Sequence, residues 1–82
     1  MLKGQVISNI VSTRKQPALV GSKFLEIQLI ENNQMTDKFI IAVDSVGAGI
    51  GETVLITTGS SARLALRNTS APADAVIVGI VD

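Results

Sequence analysis

Three glycines in five positions, Gly47, Gly49 and Gly51, run directly into the carboxylate of Glu52, and this stretch is the part of the chain best placed to do chemistry. Closely spaced glycines expose backbone N–H groups, which cradle phosphates when the turn opens a helix as G-x-G-x-x-G or runs into Lys-Ser or Lys-Thr. Here the spacing is G-x-G-x-G, Glu52 sets a negative charge where an anion needs donors, and the following TVLITT is β-branched. A strand supplies no positive dipole end. Phosphate or dinucleotide binding is therefore the weaker reading. The stronger is a tight connection whose glycines adopt positive φ or let a second backbone approach closely.

The remaining reactive side chains do not assemble into a catalytic set. The chain has no histidine and no cysteine, which removes the commonest general base, the Ser-His-Asp and Cys-His nucleophiles and any thiolate metal site. Asp37, Asp44, Glu52, Asp74 and Asp82 stand singly along the sequence, each beside a turn or an end. Carboxylates so placed accept backbone N–H bonds, the role expected of Asp44 and Asp74. No enzyme activity, cofactor or metal is expected.

The elements that hold these residues are short strands. Residues 2–11 alternate imperfectly, with a bend or bulge near Ser8 and Asn9. Residues 12–22 carry Pro17, Gly21 and the adjacent Arg14 and Lys15, which is loop chemistry. Residues 23–31 place Leu25, Ile27 and Leu29 on one face of a half-buried strand. Residues 32–38 read as a polar turn, so that a strand beginning at Phe39 returns antiparallel as a hairpin. Residues 39–43 and 53–58 read as strands flanking the glycine loop, and ARLALRN at 62–68 as one or two helical turns. Residues 74–82 form a last strand, where Gly79 marks a close backbone approach. The expected fold is mainly β: a small five-stranded, OB-like barrel with one short helix before the last strand, the alternative being a two-sheet sandwich.

Residues 39–43 and 76–81 have no polar face, and 46% of the 82 residues are hydrophobic, with a mean hydropathy of +0.44. One small domain, 1–82, hides only about 60–65% of its unfolded surface, so the surplus apolar side chains call for association with copies of the same chain. Val78, Gly79 and Ile80 on the last strand, and Gly47, Gly49, Gly51 and Glu52 in the loop, are the candidate subunit-interface or tight-packing residues. Glu52 is also placed to pair across a subunit boundary with Arg14, Lys15, Lys23 or Arg63. Seven basic residues balance seven acidic ones, and Phe24 and Phe39 are the only aromatics. That combination offers neither a field nor stacking platforms for nucleic acid. The start lacks an apolar signal region and no run is long enough to cross a bilayer, so a cytosolic protein without membrane contact is expected.

TRKQPALVGSK at 13–23, AVDSVGAGIGETVLITTGSSAR at 42–63 and DAVIVGIVD at 74–82 together resemble the small vertex proteins of bacterial microcompartment shells, of carboxysome and ethanolamine-utilisation type. The resemblance spans nearly the whole chain and rests on the three pieces in combination. It implies a cyclic homopentamer of barrel subunits without catalytic residues or cofactor. Such a ring closes the corners of a polyhedral carboxysome or metabolosome shell in the bacterial cytoplasm, beside hexameric shell proteins. Arg14 and Lys15 are then candidate shell contacts. The competing reading is an OB-like module that binds a nucleic acid or small ligand.

Overall fold

The computed structural model describes residues 1–11, 21, 23–59 and 74–82. The expected helix at 62–68 lies outside them. Five strands, β1 (Leu2–Ile10), β2 (Lys23–Glu31), β3 (Gln34–Asp44), β4 (Thr53–Thr58) and β5 (Ala75–Val81), close into a barrel in the order β1-β2-β3-β5-β4. All pairings are antiparallel except β3 with β5, which run parallel through Val43–Val76 and Asp44–Ile77. This is the OB-like barrel expected from the strand pattern, and closure rules out the sandwich.

Alternation fills the interior. Val6, Leu25, Ile27, Leu29, Ala42, Val54, Ile56 and Ile77 make one buried core, with Leu2, Ile40, Ala75 and Ile80 packed against it. Gly4 sits in the same wall for a steric reason. A Cβ there would lie 2.4 Å from Ile27 Cγ2 and 2.7 Å from the Gln28 carbonyl oxygen, so no side chain fits where β1 crosses β2.

Three departures from strict alternation decide which side chains face outward. In β1 the register slips between Val6 and Ser8, so the extra residue is Ile7, just upstream of the irregularity expected at Ser8 and Asn9. In β5 the slip pairs Ile77 with Ile56 and Gly79 with Leu55, leaving Val78 unpaired. Val78 consequently packs outside, against the pair Val43 and Val76, while Ile80 returns to the core.

The third departure corrects the polar turn expected at 32–38. The turn is Asn32–Asn33 alone, with φ of +53° and +60°, and β3 already begins at Gln34. Two central residues at positive φ are the I′ geometry of a two-residue hairpin, and asparagine tolerates it. Between Met35 and Phe39 the strand bulges. There Thr36 Oγ1 donates to the Leu29 carbonyl at 2.8 Å, and Gln28 Nε2 donates to the Thr36 carbonyl at 2.6 Å. Residues 34–38 read as turn from sequence because this end of the hairpin is largely exposed, and polarity reports burial more directly than it reports strand.

Candidate functional site: the glycine loop and the outer apolar face

Residues 45–52 connect β3 to β4 across one end of the barrel and plug it with Ala48, which is fully buried in the core. Two carboxylates hold the loop in shape. Asp44 Oδ1 accepts from the N–H of Val46 (3.0 Å) and Gly47 (3.1 Å), and Oδ2 accepts from Ala48 N–H at 2.9 Å. Lys23 Nζ stands 3.9 Å from the same Oδ2 and donates to the Ala48 carbonyl at 3.1 Å. Glu52 Oε1 accepts from Gly49 N–H at 2.6 Å, while Glu52 N–H donates to the Gly49 carbonyl at 3.2 Å. The far end is stitched to β1, where Gly51 N–H meets the Val6 carbonyl at 2.8 Å and Val6 N–H meets the Glu52 carbonyl at 3.0 Å.

This geometry explains why the glycine run is no phosphate cradle. The N–H groups of residues 46–49 that would face an anion already face carboxylate oxygens of their own chain, and the Asp44 side chain is only 2% exposed. An incoming phosphate would have to displace a buried negative charge. The structural role expected of Asp44 is the one it performs. Glu52 gives Oε1 to its own loop.

The three loop glycines are not equivalent. Gly47 and Gly51 have φ of +81° and +91°, the left-handed region that side chains disfavour. Gly49 does not, so of the two reasons for a glycine the positive φ does not apply there. Its constraint is milder, since a Cβ would lie 3.3 Å from Glu52 Oε1, the movable end of a side chain. With its amides satisfied, the loop presents Val46 and Ile50 outward, 41% and 64% exposed.

The second region is the outer face of β3 and β5. On β3 the outward residues are Phe39, Ile41 and Val43, opposite Gln28, Glu26 and Phe24 of β2. Val43 is buried by its own subunit, together with Val76. Phe39 and Ile41 are 48% and 55% exposed, so the expected cover over both faces of β3 is, within one chain, only partial. On β5, Gly79 faces outward beside Leu55, and Val81 at the strand end is exposed. Among the described residues the close backbone approach expected at Gly79 does not occur, since a Cβ there would meet Leu55 side-chain atoms at 3.8 and 4.0 Å. Ile80 faces the core, and Arg14, Lys15 and Arg63 lie outside the described residues. Sequence reasoning missed Gly4. Its signal was a glycine on the inward side of an otherwise apolar strand face, between Leu2 and Val6.

Among the described residues no three acidic side chains group to hold a metal ion, and no helix is long and apolar enough to cross a membrane. The comparisons with known proteins point one way. A family model described as ethanolamine utilisation protein EutN/carboxysome matches residues 1–82. The carboxysome shell vertex protein CcmL of Gloeobacter violaceus is 45% identical over 80 residues, covering 96% of this chain and 80% of the relative. The solved structure of Gloeobacter violaceus CcmL superposes with a TM-score of 0.95 at 43% identity, over all of this chain and 86% of that one. GrpN of Rhodospirillum rubrum, described as a pentameric microcompartment shell protein, superposes with a TM-score of 0.90 at 40% identity, over all of this chain and 94% of its own. A barrel whose loop carboxylates, Asp44 and Glu52, serve its own backbone and whose outer row is apolar thus has relatives named as shell vertex proteins, and the chain belongs to the EutN/CcmL family.

Proposed function

We propose that residues 1–82 act as one domain that assembles into a cyclic homopentamer and closes the vertices of a polyhedral bacterial microcompartment, a structural and not a catalytic role. The shell stands in the bacterial cytoplasm, and the faces around each vertex are hexameric shell proteins. Full-length likeness to a relative described as pentameric carries this reading. The distribution of side chains supports it. Asp44 and Glu52 serve backbone N–H groups of their own loop, whereas large apolar residues, Phe39 and Ile41 among them, stay partly open to water. Burying an isoleucine or phenylalanine side chain is worth about 1.5–3 kcal/mol, against about 1 kcal/mol at most for an exposed ion pair, so apolar packing dominates the assembly. Arg14 and Lys15 are proposed to reach neighbouring shell proteins, and Gly47, Gly49, Gly51, Glu52, Val78, Gly79 and Ile80 to shape or support the ring contact. Native mass spectrometry at micromolar concentration tests the reading: a five-subunit species is expected, and a purely monomeric spectrum would sink it.

A further inference from the structure

A ring built by rotation joins two different patches, one on each side of every subunit, because a head-to-tail contact does not use the same surface twice. The outer face offers two different patches, one on β3 where it borders β2 and one on β5 where it borders β4, and a glycine identifies the receiving one. Gly79 lies inside β5 with no positive φ, and a Cβ would find ordinary room beside Leu55. The other strand glycine, Gly4, is demanded by Ile27 and Gln28; among the described residues nothing demands Gly79. A strand-interior glycine weakens its strand and often marks the approach of another chain segment. Around it Leu55, the outward bulge residue Val78 and exposed Val81 border a shelf without a side chain at its centre.

The complementary patch is on β3. Phe39 and Ile41 are two outward residues of one strand, large, apolar and about half exposed, while the next outward residue, Val43, is already buried by its own chain. Resting on the pentamer reading above, we propose that the Gly79 shelf of β5 receives Phe39 and Ile41 of the next copy around the ring. The absent side chain at position 79 lets the incoming residues reach the strand backbone. The partner is a second copy of this chain, since the same molecule carries both halves of the contact.

Because the chain has no cysteine, the pairing is open to direct test by an engineered disulfide. A full-length Ile41→Cys, Gly79→Cys double variant, oxidised as the assembled ring, is expected to give a covalent ladder up to five subunits on a denaturing, non-reducing gel. Either single variant should give no ladder. A ring-forming double variant without a ladder overturns the proposal. Gly79→Leu and Ile41→Glu supply the second measurement, with far-UV circular dichroism reporting the barrel and native mass the assembly. Both are expected to keep the strand signal and to lose the pentamer, and a pentamer retained by either overturns the proposed contact. Should Gly79→Leu lose its strands, Gly79→Ala replaces it under the same criterion, because a methyl has room inside the subunit. Wild-type protein that is monomeric would instead defeat the ring reading itself, so the two failures are distinguishable.

Discussion

The glycine loop at 45–52 and the outer face of β3 and β5 are both apolar, glycine-bearing and partly exposed, yet their demands are met differently. In the loop, Asp44 and Glu52 satisfy four consecutive backbone N–H groups, from Val46 to Gly49. Two of its glycines are fixed by positive φ, and Ala48 anchors it to the core. On the outer face, Phe39 and Ile41 remain about half exposed, and Gly79 has no steric or conformational cause among the described residues. The contrast separates what builds the subunit from what the subunit leaves for others. A glycine explained by its own chain reports the fold, and one left unexplained directs attention to a neighbour.

The first way to break this comparison is to remove the acceptor that closes the loop. Asp44→Ala leaves three N–H groups and Lys23 without their carboxylate, and hydrogen bonds to charged groups are worth about 1.5–3 kcal/mol each before relaxation. A loss of about 3 kcal/mol in urea unfolding at fixed protein concentration is expected. A loss below about 1 kcal/mol would mean that water replaces the carboxylate and the loop is not held from within. Gly4→Ala comes next. Its methyl would overlap the Gln28 carbonyl oxygen, a backbone atom that cannot swing aside, and the same measurement should register about 1–3 kcal/mol.

A smaller effect sharpens the division within the loop. Gly47→Ala places a side chain at φ +81° and should cost about 1 kcal/mol, whereas Gly49→Ala, free of that constraint, should cost about 0.5 kcal/mol or less. Equal losses would show that positive φ is not what separates the two sites. The smallest effect is expected at the exposed Lys38–Glu31 pair, 3.3 Å apart near the hairpin tip. Lys38→Met should change stability by no more than about 0.5 kcal/mol, measured at low and high salt, because exposed pairs are weak and screened.

Much of this was legible beforehand. Leu25, Ile27 and Leu29 alternate cleanly because β2 has one wet and one dry face, and they line the core as the alternation requires. Asp44, an acid standing beside the glycine-bearing turn, read as an acceptor of backbone N–H bonds because carboxylates so placed take that role. The failures have equally specific causes. Thr36, Asp37 and Lys38 are polar because the end of the hairpin is exposed, and that polarity hid the strand they belong to. Val78 and Ile80 share parity, but the bulge at Val78 turns one outward and the other inward, and nothing local announces it.

By itself, the sequence determined that the chain is a small β protein without histidine or cysteine, that its strands alternate or run wholly apolar, and that the run from Asp44 to Glu52 joins two of them. Those properties depend on residue type and near neighbours, for which dihedral preference and period two suffice. Only the tertiary structure decided the parallel seam between β3 and β5, the inward turn of Ile80, the steric need for Gly4 and, among the described residues, the absence of any such need at Gly79. Each of these depends on which strand lies alongside which and in what register, and register is set by the closure of the barrel, a property of all five strands at once.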